Sequence, residues 1–505
     1  MSERFVRRAI SVAAFCIPFV VYLISVEPSV GFWDTAEMQT VPYILGIAHP
    51  TGFPLFVLLG HVFSHVVVIG NVAWRISMMS AITMAAAAWF VFAALRDEGI
   101  ENGIAMLCAW TFAFGAVAWT RGTRAEVHSL AILLIGASIW AALRVRATGE
   151  LKWLCACALC VGLAVATHPV VIWALPGLAV LLFWPAEAHR RYAASKVLLA
   201  VASALAPLLL YLYIPLRSAY VAAHALDPTL TLGLPAGQAF WDWGHPANWH
   251  NFALLVSGAY YAKNGALAAI LQPFGYPVFA RALADKVPHE FAALGVLLIL
   301  VGFARLVIVD RPKALAFALI ALAGVPFAIS YTVESDYDRY LLTCYWMLAL
   351  VMGYGAQTAV TLCTKRISAF AAAVLVALLL AINLGYLVYD GRETFAQPHD
   401  RSADAFIDRV ALKTRDGAAI VASWVYAAPL AYGSYVEHRL GRRIIVSAEP
   451  EQLATPIQAW MRKRAVYALY FHPLGDTTTA LGRMHLTAVD NDSPPIYRVV
   501  ADGKQ

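Results

Sequence analysis

Acidic, basic and aromatic residues gather in four short stretches of this sequence, each suited to a recognisable chemistry. The sharpest is Gly31-Phe32-Trp33-Asp34-Thr35-Ala36-Glu37. Asp34 and Glu37 are three residues apart, so one helical turn sets both carboxylates on one face. That arrangement suits proton transfer or a divalent cation. A solvated acidic pair at a membrane surface has the same spacing. The stretch continues through Val41-Pro42-Tyr43-Ile44-Leu45-Gly46-Ile47-Ala48 to His49-Pro50-Thr51-Gly52-Phe53-Pro54. So apolar and aromatic a segment is expected to lie on a membrane and roof a cavity. The Pro50/Gly52/Pro54 set reads as a rigid turn that aims His49, or as a plain helix-breaking turn.

The second stretch is Arg121-Gly122-Thr123-Arg124-Ala125-Glu126-Val127-His128, followed at the next turn on that side by His168-Pro169. Arg124 can bind a phosphate or carboxylate. Pairing with Glu126 or with lipid headgroups explains the arginines equally well, and His168 fits a helix cap. The third stretch begins near Arg217 and includes Trp241-Asp242-Trp243-Gly244-His245-Pro246-Ala247-Asn248-Trp249-His250. Flat rings beside hydrogen-bonding groups, notably Trp243 and His245, are what a sugar needs. An interfacial aromatic belt has the same composition. The fourth stretch is Glu334-Ser335-Asp336-Tyr337-Asp338-Arg339-Tyr340. Asp336, Asp338 and Arg339 suit a substrate mouth or a solvated cap.

The elements that must position these residues are membrane spans. Of 505 residues, 61% are hydrophobic and only 13% charged, more apolar surface than a soluble fold can hide. Apolar runs of about 20 residues fall near 9–26, 76–95, 103–120, 129–146, 152–167, 170–184, 196–215, 289–309, 314–333, 340–361 and 367–389. They predict about eleven transmembrane helices. Under this count Arg4, Arg7, Arg8, Arg96, Arg144, Arg146, Lys152, Arg190, Arg191, Lys196, Arg305, Arg311, Lys313, Lys365 and Arg366 share one side, so the N-terminus is expected in the cytoplasm. Arg4, Arg7 and Arg8 precede an apolar run with no small-residue cleavage site before Glu27, which reads as a retained span. The seven cysteines all lie in or beside apolar runs, which excludes a disulfide-stapled ectodomain. Cys155, Cys157 and Cys160 resemble a metal cluster in spacing, yet their apolar surroundings fit packing. The net charge of +6 is explained by cytoplasmic loops rather than by nucleic acid.

All four chemical stretches fall on the outer side under this count. The expected domains are a transmembrane part, 1–389, with outer loops 27–75 and 216–288, and a soluble extracytoplasmic tail, 390–505. In the tail, Ser402 precedes a helical pattern. Strand candidates at Ala419–Ser423, Arg443–Ser447, Val466–His472, His485–Val489 and Ile496–Val500 alternate with helices in part, predicting a small, mostly parallel α/β domain. The tail should be separable as a soluble module.

The N-terminal three quarters resemble the multi-spanning glycosyltransferases of the GT-C fold. More closely they are similar to the domain-of-unknown-function family that includes an animal protein O-mannosyltransferase. The resemblance is carried by Asp34-Thr35-Ala36-Glu37, Leu45 to Pro54, Ala125-Glu126-Val127-His128, and Trp243-Gly244-His245-Pro246 with Val256-Ser257-Gly258. Trp33-Asp34-Thr35 stands where Gly-Asp-Ser is usual in that family. The resemblance implies an inverting enzyme that takes a sugar from a polyprenyl phosphate at the outer face and passes it to a protein or glycan hydroxyl. It places Asp34 at the reaction centre as general base, with Glu37 beside it. Arg124, Arg217 and Arg339 become candidates for the departing phosphate, and His49, Glu126, His168, Trp243, His245, Asp336 and Asp338 for substrate binding. A lipid-phosphate donor needs no nucleotide metal site, so no obligatory metal or other cofactor is expected, although the carboxylate pair can take Mg²⁺. The Ala-rich spans and the lack of a retention signal fit a bacterial inner membrane. A transporter or flippase of lipid-linked sugars should carry polar residues deep in its spans, and a mere scaffold for the tail would not need Asp34 and Glu37. Reporter fusions after Arg96 and after Gln505 should give opposite topological signals; matching signals would overturn the eleven-span count.

Overall fold

The computed structural model describes residues 3–184, 193–259, 275–325, 328, 337–448, 453–470 and 484–501. The chain divides into two compact units. The first comprises 1–26, 80–210 and 261–397; the second comprises 27–79, 211–260 and 398–505.

Helices dominate the first unit. The expected apolar runs coincide with helices, the run at 314–333 only in part because it passes beyond the described residues. Among the described residues, seven helices are long and apolar enough to cross a bilayer, or eight if the bent pair Asn102–Ala113 and Ala116–Gly122 is one span. Among the described residues the count is lower than eleven because two runs are short or broken and the run at 314–333 passes beyond those residues. Leu151–Thr167 has 17 residues, and Pro169–Ala174 winds as a 3-10 helix before Leu175–Phe183.

The bent pair shows how sequence sets such a break. Its two helices meet at 71°, around Gly115. A Cβ on Gly115 would lie 2.3 Å from Glu290 Oε2, so any larger residue would displace that carboxylate. Glu290 Oε1 accepts the Val117 N–H at 2.9 Å, satisfying one of the orphan donors of the new helix start. Buried indoles are satisfied in the same way: Trp346 Nε1 donates to the Ala87 carbonyl and Trp119 Nε1 to Ser25 Oγ.

The second unit holds the tail together with two segments expected to be outer loops. The tail forms one five-stranded sheet: β1 Ala419–Ala422, β2 Ile444–Ser447, β3 Val466–Leu469, β4 Met484–Asp490 and β5 Ile496–Ala501. The order is β2-β1-β3-β5-β4. β1 pairs parallel with β2 and β3, as expected, but β5 is antiparallel to both β3 and β4. A helix, Trp424–Tyr435, connects β1 to β2.

That helix is buried on nearly every side, which fits its Ala- and Tyr-rich composition. It packs against the Trp33–Ile44 helix. Tyr432 Oη accepts the Ala73 N–H at 3.0 Å, and Trp460 Nε1 donates to the Leu232 carbonyl at 2.7 Å. The loop segments are tied to each other as well. Ile47 N–H donates to the Trp241 carbonyl, and a Cβ on Gly46 would sit 1.9 Å from the Phe240 carbonyl oxygen.

The tail therefore has more apolar partners than a separable module would need. Expressed alone from about Asp400, it should expose Trp424, Tyr432 and Trp460, bind hydrophobic dyes and lack a cooperative melt. A sharp two-state melt of that fragment would restore its independence.

Candidate active site

In the second unit, the acidic pair lies on the Trp33–Ile44 helix, where Thr35 to Pro42 are buried. The helix begins from Trp33, whose φ of +55° is one that glycine adopts without strain. It ends at Leu45, also left-handed, with N–H donation to the Pro42 carbonyl. Asp34 is half-buried, whereas Glu37 is fully buried.

An ionised carboxylate removed from water must be paired, and His49 supplies the pairing. Glu37 Oε1 accepts the His49 backbone N–H at 2.8 Å, and Glu37 Oε2 makes a short contact with His49 Nδ1. The Gly52 N–H closes the turn onto the His49 carbonyl, and Pro54 opens the next helix, Pro54–Val66, at its first turn. The imidazole is walled edge-on by Phe53, Trp243 and Trp424, with ring centroids 5.0, 6.5 and 6.2 Å away. Asp34, Glu37 and His49 each offer a ligand atom within 4.8 Å of the others. Two carboxylates and an imidazole suit a small divalent cation.

Nearby, His245 Nδ1 pairs with Asp242 Oδ2 at 2.7 Å and contacts Ser218 Oγ at 3.3 Å. Asp242 is 1% exposed, and burial raises its carboxyl against the lowering pull of Ser218 and His245. Arg217 donates to the carbonyls of Leu45 and Ile44 and its guanidinium lies over Tyr220. Two of its N–H groups thus hold the end of the Trp33–Ile44 helix.

The first unit contains the other predicted residues. Arg121 is the hub there, although the sequence pointed to Arg124. Arg121 bonds Glu126 Oε2 at 3.2 Å and Asp338 Oδ1 at 2.9 Å. Glu126 Oε1 takes the His128 ring at 2.7 Å, and Lys286 lies 3.6 Å from Asp338. The His128, His168 and Tyr340 rings are in mutual contact. His168 Nδ1 accepts the Val170 N–H, so this histidine caps the 3-10 helix. Arg339 lies over Tyr340, Arg124 is half-buried in the turn before Glu126, and Asp336 lies outside the described residues.

Sequence reasoning missed Trp424 altogether. It is 390 residues from Asp34, in a tail whose only readable signal was alternating strands and helices.

Burial raises the Glu37 carboxyl; His49 draws it back down, and Asp34 pushes it further up. Folding therefore opposes ionisation of this group. The destabilisation sets in as pH climbs past the ordinary value of 4.5 and is complete above the raised folded-state value. Glu37→Gln does not ionise. The melting temperature of Glu37→Gln relative to the parent should therefore rise with pH from about 4.5 upward, and a pH-independent difference would contradict the assignment.

Residues 34–191 match the family model described as "Protein O-mannosyl-transferase TMEM260 N-terminal domain". Over 113 residues the chain is 33% identical to "Protein O-mannosyl-transferase tmem260" of Dictyostelium discoideum, covering 22% of this chain and 14% of that protein. Over 127 residues it is 34% identical to "Protein O-mannosyl-transferase TMEM260" of Mus musculus, covering 25% of this chain and 18% of the relative. These alignments span less than a fifth of either curated relative. Among solved structures, apo ArnT from Cupriavidus metallidurans aligns over 100% of both chains with a TM-score of 0.52 and 12% identity, which establishes a shared fold. The chain is an integral membrane protein of GT-C-like fold, and its residues 34–191 match the TMEM260 N-terminal domain family model.

Proposed function

We propose that the chain is a glycosyltransferase that moves a sugar, with inversion, from a polyprenyl-phosphate donor to a hydroxyl of a protein or glycan at the outer membrane face. The names of the relatives support transfer of a hexose to protein. The observation that carries the reading is the unequal burial of the two carboxylates. Glu37 is sealed in and occupied by His49, whereas Asp34, on the same helix, is only half-buried. Of the pair, Asp34 alone is accessible to a substrate.

In this reading Asp34 removes the proton from the acceptor hydroxyl as its oxygen attacks the anomeric carbon. Its charge also favours the positive character that develops there. The C–O bond to the lipid phosphate breaks, and the phosphate departs with the electron pair. The departing negative charge calls for cationic or N–H donors. Glu37 and His49 fix the helix turn that presents Asp34. The transfer needs no resident metal in this scheme, so chelation with EDTA should leave turnover unchanged. Loss restored by Mg²⁺ would instead assign a cation to Asp34, Glu37 and His49.

The test is transfer from a polyprenyl-phosphate sugar in nanodiscs, with melting temperature measured for each variant. Asp34→Asn should lower turnover by about 10²–10⁴ while the protein stays folded. Glu37→Gln should cost less. Near-normal turnover in folded Asp34→Asn would remove Asp34 as the base.

A further inference from the structure

The tail sheet brings one side chain to Asp34. β1 lies between its two parallel neighbours, β2 and β3. The chain passes from β1 to β2 and then back across β1 to β3. In sheets so connected, the crevice at the carboxyl ends of the two strands flanking the reversal is where ligands and functional groups collect. Here that point is the end of β1, where the Ser423 N–H donates to the Leu469 carbonyl at the end of β3. The next residue is Trp424, the first of its helix.

The Trp424 indole is fixed on several sides. It stacks on Phe240 with centroids 5.3 Å apart and planes 6° apart. Trp243 meets it edge-to-face at 5.3 Å, and His49 does so at 6.2 Å. With the ring so held, its N–H has one direction, and it donates to Asp34 Oδ1 at 3.0 Å. The indole N–H, half-buried among these rings, finds a partner there; a carboxylate that must accept a proton in a defined direction requires something to orient it.

We propose that Trp424 is a positioning residue for Asp34: the tail supplies the hydrogen bond that aims the reacting carboxylate. The proposal rests on the reading of Asp34 as the base. Trp424 lies outside the segment matched by the family model, residues 34–191, so the family match does not assign it. Donation to the ionised form also favours that form. Removing the N–H therefore moves the acid limb of the rate profile to higher pH. A tryptophan that only filled space would lower the rate equally at every pH.

The experiment compares the full chain with Trp424→Phe, which keeps a ring against Phe240 but lacks the donor, across a pH series in nanodiscs. Trp424→Ala serves as the packing control, and melting temperature is measured for all variants. Losing a group that orients a functional residue typically costs about 10–100-fold. Trp424→Phe should lose that much in kcat, with an unchanged KM for donor and an acid limb shifted upward. In the Asp34→Asn background the same substitution should cause no further loss. Unaltered kcat with an unmoved acid limb, or a pH-independent loss that persists with Asp34→Asn, would overturn the proposal. Normal turnover in Asp34→Asn itself would sink the base assignment. An inactive Asp34→Asn beside an unaffected Trp424→Phe would sink only the role of Trp424.

Discussion

A carboxylate with no surface in water is the constraint on which the candidate site depends. Glu37 is fully buried, and His49 meets it twice, through its backbone N–H and through its ring. Those contacts bind the Trp33–Ile44 helix to the turn that follows it. They also fix Asp34, one helical turn away on the same face. Burial of an unpaired carboxylate costs far more than a lost surface contact, so the turn from Gly46 to Pro54 has little freedom. Its backbone shows the effect: Leu45 and Phe53 hold left-handed conformations without being glycine. Such conformations persist only where the surroundings over-determine them, and they cluster at functional sites.

The first unit solves a related problem differently. Arg121 is 4% exposed and is neutralised by Glu126 and Asp338 together. Glu126 is a near neighbour in sequence, but Asp338 lies 217 residues from Arg121, so the network holds the bent helix pair to the Tyr337–Cys363 region. Removing one member would strand a buried charge, and such losses exceed the value of any exposed pair. The same unit caps its broken helix with Glu290 across 173 residues. Polar side chains at these helix breaks serve the backbone first.

Much of this could be read from residues close together in sequence. The spacing of Asp34 and Glu37 predicted a shared helix face, and the prolines and glycine after His49 predicted a turn; both are present. Apolar run length located the helices, but it could not tell a full span from a short helix such as Leu151–Thr167. Alternation in the tail found all five strands, yet not their mixed directions. What stayed hidden was long-range. Nothing near Trp424 signals Asp34, because their contact depends on the whole sheet being built. The anchoring of Arg217 was hidden too, because its partners, the carbonyls of Ile44 and Leu45, are backbone atoms that every residue type carries. The resemblance read over three quarters of the chain is matched by the family model over residues 34–191.

The proposed transfer rests on Asp34 as its general base. The most direct measurement is mass spectrometry of glycans and glycopeptides from cells carrying the intact chain, the Asp34→Asn chain at equal abundance, or neither. The account predicts a hexose modification that appears with the intact chain and is missing in the other two. Indistinguishable profiles from all three cells would contradict it.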